Sequence, residues 1–401
     1  MKSLAFAVRM LVRQPARALL GILGVAAVGA LLFDMLLLSN GLVISFRHLL
    51  DRAGFDVRVL STDAMPLSGP RVPDASRTTS MVAGLAEVES VVPLRMAEAV
   101  TSFHDNDERL TLIGARPSER PPWTLVEGQD LSLDRDASAP IVMLVNRTMA
   151  RTLELSPGRT MRLAGECESD SSALPQVDVR VAGIAEFPFD TGAQMTAAVT
   201  LDDLNRICGN TLNDAVDVLL VTSRPAAGPE ATAEAIRDLR PDLHVFTNDD
   251  IVERFQRTEF SYFRQISAVL MSVTMFFGFL LITVLLTVSV NQRFVEIAAL
   301  RALGITRARV VMDVLSESVL LVGVGGLLAL PLGLALSIWL DGILRSMPEI
   351  PSNVRFFVFE QQALVLHLLL LGVTAIAAAL YPMWLVARLP ITSTLRRETV
   401  S

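Results

Sequence analysis

The chain has 401 residues, of which 51% are hydrophobic and 19% are charged, and its mean hydropathy is +0.47. This composition excludes an ordinary soluble protein, and the net charge of −7, without a basic stripe that carries aromatics, excludes a nucleic-acid partner. The length suffices for a bundle of membrane helices and one sizeable soluble domain.

The first apolar segment follows a short basic stretch, residues 1–17. Its apolar run is too long for a signal peptide and lacks a good cleavage site, so residues 18–50 are predicted to form a retained first span and a stalk. Asp34 interrupts the run, and a carboxylate at mid-bilayer costs about 2.5–3.5 kcal/mol, so it should face protein or water. One interpretation is a polar contact inside a substrate path, and the other is a solvated position near the outer interface.

Residues 51–250 are predicted to form a soluble α/β domain of short strands and turns. Strands are predicted at 55–60, 139–144, 177–181 and 216–221, helices at 149–155 and 229–239, and polar loops at 68–80 and 166–175. Both cysteines, Cys167 and Cys208, lie in this domain. Outside the cytoplasm they could pair, and the alternative is two separate small buried side chains.

Residues 251–292 are predicted to form a second stalk and the second span, starting from a capping signal at 247–250. The segment 293–313 then predicts a short amphipathic helix at the membrane face, because Glu296 and Arg301 stand among apolar residues. The helix residues singled out are Arg293, Phe294, Glu296, Ile297, Leu300 and Arg301. Gly304 suits the position after the helix end, where a left-handed backbone is needed.

The predicted order is completed by a third span at 314–341, an outer loop at 342–362, a fourth span at 363–387 and a tail at 388–401. Small residues recur at four-residue intervals in the third span, namely Gly325, Ala329 and Gly333. Such spacing allows helices to approach closely, within the chain or in a dimer. His367 falls near the outer end of the fourth span, where we expect it to be solvated.

Arginines are concentrated in three segments, 1–17, 293–313 and 388–401. The positive-inside rule places these segments and both termini in the cytoplasm, so the domain at 51–250 is expected outside it. The expected location is the bacterial cytoplasmic (inner) membrane.

One span, a large domain and three further spans form an order that resembles the MacB/FtsX/LolC-type ABC permeases, also called type VII or mechanotransmission permeases. The segment 293–304 is similar to the coupling helix of that family. The tail resembles its C-terminal signature at Tyr381, Pro382, Arg388, Pro390, Leu395 and Arg396. The resemblance implies four transmembrane helices with an inserted extracytoplasmic α+β domain of the MacB periplasmic core type.

The resemblance also implies a function. Family members pair as homodimers or heterodimers, bind two cytoplasmic ABC ATPase subunits and use ATP to move the domain outside the membrane. Residues 293–304 would then contact the ATPase. The cargo would be a lipoprotein, lipid, peptide or drug, with a periplasmic adaptor or acceptor as a further partner beside the membrane lipids. The alternative is an FtsX-like subunit that activates a cell-wall hydrolase, and a third class is a scaffold with no ATPase.

The sequence contains no motif for catalysis in this chain. No G-x-x-x-x-G-K-[ST] occurs, and Lys2 is the only lysine, so ATP and Mg are expected on a partner chain. The four histidines match no metal-binding spacing, and G-x-S-x-G is missing. We therefore predict a non-catalytic subunit without catalytic or metal-binding residues.

Overall fold

The structure is a computed structural model that describes residues 15–63, 69–103, 106–132, 139–167, 174–257, 259–292, 306–345, 347, 355–359 and 361–388. The chain divides into two compact units. The bundle unit comprises residues 1–42, 259–343 and 355–401, and the head unit comprises residues 43–258 and 344–354.

The described helices, in chain order, are α1 (Pro15–Arg52), α2 (Ala75–Ala83), α3 (Arg147–Thr152), α4 (Leu201–Ile207), α5 (Gly228–Leu239), α6 (Asn248–Arg257), α7 (Glu259–Gln292), α8 (Arg307–Arg345) and α9 (Gln361–Arg388). The described strands are β1 (Val57–Leu60), β2 (Val72–Pro73), β3 (Val88–Phe103), β4 (Asn106–Ala115), β5 (Thr124–Gly128), β6 (Ile141–Val145), β7 (Thr160–Glu166), β8 (Val177–Glu186), β9 (Thr196–Thr200), β10 (Ala215–Val216), β11 (Val218–Ser223) and β12 (His244–Thr247).

The helices α1, α7, α8 and α9 each contain a stretch long and apolar enough to cross a membrane. These stretches are Ala18–Arg52, Arg264–Gln292, Leu315–Leu344 and Gln361–Trp384. Every stretch exceeds the roughly 20 residues that cross a hydrocarbon core. The sequence prediction of four membrane-spanning helices is therefore confirmed for the described residues.

The bundle unit is apolar inside and outside. One interior cluster is aliphatic and consists of Val25, Leu32, Ile282, Leu286, Val322, Leu371, Ala375, Ala378 and Ala379. Several outward-facing apolar side chains are more than half exposed, namely Phe276, Phe277, Ile338 and Trp339. A helix that is apolar all round is stable in lipid rather than in water, which agrees with membrane insertion.

A mixed sheet of ten strands forms the head unit, in the order β12-β1-β11-β3-β4-β9-β6-β8-β5, with β7 paired to β3 and β8. Most pairs are antiparallel, whereas β4 with β9 and β6 with β8 are parallel. The long strand β3 contributes to three successive hydrophobic clusters, through Val88, through Val92 and through Ala99. It therefore joins the two ends of the head into one structure.

The start of α6 confirms the predicted capping signal. The Thr247 backbone N–H donates to Asp250 Oδ2 at 2.9 Å, and the Asp250 backbone N–H donates to Thr247 Oγ1 at 3.2 Å. This reciprocal pair is a capping box. The single long helix predicted after it is described as two helices, α6 and α7, and residue 258 lies outside the described residues.

One local prediction in the head was wrong. Residues 75–80, predicted to belong to a polar loop, form most of α2. The helix is stable there because it buries Ala75, Thr78, Thr79 and Val82 against the head. The sequence did not indicate this buried helix face, because two of its four residues are threonines and therefore polar.

Candidate functional site

The segment predicted to contact an ATPase lies outside the described residues. Its undescribed residues include Arg293, Phe294, Glu296, Ile297, Leu300, Arg301 and Gly304. The tail residues Pro390, Leu395 and Arg396 also lie outside the described residues. Of Arg388 only the backbone at the end of α9 is described. The structure does describe the two helices that flank the coupling segment, α7, which ends at Gln292, and α8, which begins at Arg307.

The small residues of α8 lie against α1 of the same chain. A Cβ atom added to Gly325 would stand 2.7 Å from Val25 Cβ. A Cβ atom added to Gly333 would stand 3.0 Å from the Phe33 ring and 3.1 Å from the Ala30 carbonyl oxygen. These distances leave no room for a larger residue, so the stripe allows the two helices to approach closely.

Small residues of α1 contribute to this contact as well as those of α8. On α1, a Cβ atom added to Gly29 would stand 2.8 Å from the Cβ of Ala329, which is fully buried. The predicted stripe Gly325, Ala329 and Gly333 therefore forms an interhelical contact within the chain. We call this contact the α1–α8 seam.

Asp34 lies next to the α1–α8 seam. Its side chain is fully buried, and its Oδ1 accepts a hydrogen bond of 2.7 Å from the Ser337 hydroxyl. Ser337 follows Gly333 by four residues and is 1% exposed. The alternative of a solvated Asp34 near the outer interface was wrong, because the carboxyl group faces protein.

A further polar contact continues along α8. Asp341 is 5% exposed, and its Oδ1 accepts a hydrogen bond of 2.9 Å from the Phe356 backbone N–H. The Phe356 segment also lies so close to Gly41 on α1 that a Cβ atom there would stand 2.3 Å from the Phe356 carbonyl oxygen. The C-terminal part of α8 therefore contacts residues 355–359, and the same segment contacts α1.

His367 was expected to be solvated, and this was wrong. Its side chain is fully buried, and its ring meets the Phe33 ring edge to face with centroids 5.2 Å apart.

Sequence reasoning also missed a contact between α7 and α8, in which the Ser289 hydroxyl donates to Glu317 Oε1 at 2.7 Å. The acidic Glu317 inside an apolar stretch was the signal available for this second contact.

The head unit contains a polar junction that we call the neck. Asn248, the first residue of α6, donates from its backbone N–H to the Asp56 carbonyl oxygen at 2.9 Å and from Nδ2 to Asp51 Oδ1 at 3.1 Å. Its Oδ1 accepts a hydrogen bond from the Arg58 guanidinium. One amide side chain therefore links the end of α1, the strand β1 and the start of α6.

The neck holds a buried cation. Arg58 is 8% exposed, and burial lowers the pKa of its guanidinium to about 10, although the nearby carboxylates of Asp56 and Asp51 act in the opposite direction. The group stays protonated at neutral pH. A buried charge needs hydrogen-bonding partners, so the Asn248 amide oxygen is a required part of this junction.

Two more contacts join the ends of α1 and α6. The rings of Phe46 and Phe255 lie with centroids 4.6 Å apart, and Arg47 forms an ion pair of 2.8 Å with Asp249. The ion pair is largely exposed and contributes little, since exposed pairs are worth about 0–1 kcal/mol. The aromatic contact and the Asn248 hydrogen bonds hold the two helix ends together.

The two cysteines of the head are bonded to each other. Cys167 and Cys208 form a disulfide with Cα atoms 5.7 Å apart, which joins the residue after β7 to the residue after α4.

The head also contains a cleft of about 600 Å³, whose lining includes Arg95 and Arg206. Both arginines donate to protein oxygens, Arg95 to the Asn213 and Ala215 carbonyls and Arg206 to the Ala139 carbonyl.

No metal centre is formed by the residues that the structure describes, where no group of three or more His, Cys, Asp or Glu side chains is placed to hold an ion. The described geometry is that of connected helices and strands. Its two most connected polar and packed contacts are the α1–α8 seam with Asp34, in the bundle unit, and the neck, in the head unit.

Two family models match the chain. The model of the MacB-like periplasmic core domain matches residues 18–239, which is more than half of the chain, and the model of the FtsX-like permease C-terminal region matches residues 268–391. The macrolide export ATP-binding/permease protein MacB of Bdellovibrio bacteriovorus is 24% identical over 380 residues. This match covers 87% of the present chain and 55% of that protein, so the chain spans about half the length of this relative.

Three solved structures are similar to part of the chain. The periplasmic region of MacB from Actinobacillus actinomycetemcomitans is 10% identical with a TM-score of 0.40, and the match covers 51% of this chain and 95% of that one. The extracellular domain of the transporter YknZ from Gram-positive bacteria is 15% identical with a TM-score of 0.34, covering 48% and 99%. A permease domain from Porphyromonas gingivalis is 16% identical with a TM-score of 0.30, covering 48% and 86%.

Proposed function

Because the chain belongs to the family of MacB- and FtsX-type ABC transporter permeases, we propose that it couples ATP hydrolysis on a separate ATPase to movement of its extracytoplasmic domain. The observation that carries this proposal is α1, which runs unbroken from Pro15 to Arg52 and contributes residues to both units. A helix of that length extends about 57 Å, well beyond the hydrocarbon thickness of a bilayer. Such a helix can carry a displacement along its axis.

The proposed stroke begins at the coupling segment 293–304, between α7 and α8. Displacement of α8 reaches α1 because the α1–α8 seam and the Asp34–Ser337 hydrogen bond connect the two helices. At its far end α1 is connected to β1 and α6 through Asn248 in the neck. Each step relies on a contact between named groups, so each step can be broken by mutation.

The partners follow from the same mechanism. ATP and Mg bind to the ATPase chain, of which we propose two copies, and a second permease subunit completes a homodimer or heterodimer. The cargo that this mechanism serves is a lipoprotein, lipid, peptide or drug, extracted or exported with the help of a periplasmic adaptor or acceptor. In this proposal the coupling segment and both termini are cytoplasmic.

A second candidate is an FtsX-like signalling subunit that activates a cell-wall hydrolase. It shares the C-terminal region matched at residues 268–391. The match of residues 18–239 to the MacB-like core favours the transport function over it. Depletion experiments discriminate between them, since loss of septation supports signalling and accumulation of a lipoprotein or drug supports transport.

The coupling segment provides the test of the proposal. We expect Glu296→Lys and Arg301→Glu to abolish cargo movement while ATP hydrolysis and membrane insertion persist, because charge reversal removes polar contacts with the ATPase. The measurement is ATP hydrolysis and cargo movement by the complex purified from native membranes. Glu234→Lys and Arg151→Glu, at exposed head positions, are charge-matched controls. Normal cargo movement by both coupling variants contradicts the proposal.

A further inference from the structure

Five positions of α8 follow one another at four-residue intervals along a ridge that winds slowly around the helix, and they change from small to polar along it. Gly325, Ala329 and Gly333 are small, whereas Ser337 and Asp341 are polar. Residues four apart lie on the same side of a helix. The packed stripe of the seam is therefore continued by two side chains that form hydrogen bonds.

The small residues bring the two helices close together, with Val25 and Phe33 of α1 packed over Gly325 and Gly333. These contacts are apolar, so lipid can replace part of them when the helices separate, because lipid is as apolar as the side chains that it replaces. The hydrogen bond from Ser337 to Asp34 is directional, since it holds only at one axial and rotational position. Both groups are buried, and Asp34 Oδ2 has no hydrogen-bond partner among the described residues.

A buried carboxyl group makes separation of the helices costly. Water cannot replace the Ser337 hydroxyl in an apolar interior, so loss of this bond leaves a second unsatisfied oxygen on Asp34. The elements packed against α1 carry two further buried titratable side chains, Asp341 on α8 and His367 on α9. Asp341 accepts from Phe356, and His367 packs on Phe33. Neither shows a hydrogen bond to Asp34.

We propose that Asp34 is a positioning residue that, through Ser337, keeps α1 and α8 in one register throughout the transport cycle, so that the two helices move as a rigid pair. The inference rests on the proposed function, in which α8 receives the stroke and α1 delivers it to the head. A role for Asp34 in a gate makes the opposite prediction, because the two helices would then have to part.

Cross-linking separates the two predictions. In the double variant Asp34→Cys with Ser337→Cys, oxidation of the two thiols by copper–phenanthroline forms a disulfide that replaces the lost hydrogen bond and locks α1 to α8. We expect the cross-linked complex to regain the ATP-dependent change in hydrogen exchange at the neck, residues 46–58 and 245–255, that the reduced double variant has lost. Absence of the neck response after cross-linking overturns the proposal, because it shows that the two helices have to part. The single cysteine variants are the controls for the oxidant.

Substitution tests the hydrogen bond itself. Asp34→Ala and Ser337→Ala should lower the neck response per ATP hydrolysed by about tenfold while hydrolysis stays within about twofold of wild type. Asp34→Asn should restore the response, because its amide oxygen accepts the same hydrogen bond. The matched control is Ser318→Ala, a buried serine of α8 that bonds instead to the Ala375 carbonyl on α9.

Two outcomes distinguish a failure of this inference from a failure of the proposed function. If the wild-type complex shows no neck response to ATP, the proposed function fails, and the role of the hydrogen bond is still tested by thermal unfolding in detergent, where Asp34→Ala should destabilise the bundle and Asp34→Asn should not. If the wild type responds and Asp34→Ala responds equally, or if Asp34→Asn fails as Asp34→Ala does, the positioning role alone is wrong.

Discussion

A single amide side chain, that of Asn248, holds three elements of the neck. We expect Asn248→Ala to destabilise the head by about 2–3 kcal/mol, because it removes two side-chain hydrogen bonds and leaves the buried Arg58 guanidinium without this acceptor. The measurement is thermal unfolding of the full chain in detergent. Gln129→Ala, at an exposed position, serves as the control, and equal unfolding temperatures for the two variants would contradict this role of Asn248.

Asp190 makes part of the head's stability depend on pH. Burial raises the pKa of its carboxyl group, although the Thr196 hydroxyl at 2.6 Å and the Asn146 amide at 2.7 Å favour the charged form. Because the folded-state pKa exceeds the unfolded value, the stabilising contribution is fully present below the unfolded pKa and is lost as pH rises through the folded pKa.

Asp190→Asn should remove this pH dependence. The variant loses an acceptor for the Asn146 amide at every pH, but its stability relative to wild type should improve as pH rises from the unfolded pKa of about 4. The measurement is the unfolding temperature of the full chain across that range. Asp202→Asn, at an exposed position, is the control, and parallel pH profiles of Asp190→Asn and wild type would refute the assignment.

At the scale of elements, the α1–α8 seam can be tested by one added atom. Alanine usually stabilises a helix by about 1 kcal/mol relative to glycine, yet Gly325→Ala should destabilise the bundle by about 1–3 kcal/mol because its Cβ overlaps Val25. At Gly323, on the same helix, a Cβ atom meets nothing within 4 Å, so Gly323→Ala should be neutral or stabilising. Thermal unfolding in detergent measures the difference, and an equal effect of both substitutions would argue against the seam.

The elements differ in how far the sequence could predict them. Long apolar runs identify the four membrane helices, and Thr247 with Asp250 identifies the start of α6, because these signals are local. The strand β3 was not predicted, since Pro93 and Arg95 interrupt its alternation and its stability comes from pairing with distant strands. Strand propensity depends on such neighbours.

The candidate site shows the same limit. Asp34 attracts attention as a charge in an apolar run, but its partner Ser337 is 303 residues away in sequence. A serine in an apolar helix commonly bonds to the carbonyl one turn earlier, as Ser272 does, so its identity alone gives no indication of a partner on another helix. The neck partners of Asn248, Arg58 and Asp51, are also remote in sequence, at separations of 190 and 197 residues.

At the scale of the whole molecule, the proposal requires the head and the coupling segment to lie on opposite sides of the membrane. A cysteine introduced at the exposed position Glu234 should react with a membrane-impermeant maleimide from outside, and one at the exposed position Thr306 only after the membrane is opened. The wild-type cysteines are paired and serve as the background control. Labelling of both positions from the same side would exclude the mechanism.

The direction in which β1 enters the sheet decides how the head withstands a pull. The start of β1 at Val57 lies opposite the end of β12 at Thr247, so the two strands that carry the neck are antiparallel neighbours. Both helices are attached at the same end of this strand pair. A force that parts α1 from α6 would therefore open the hydrogen bonds, which run perpendicular to the strands, one after another from Val57 and Thr247. The side-chain contacts of the neck lie at that end, so they are the first to resist such a force.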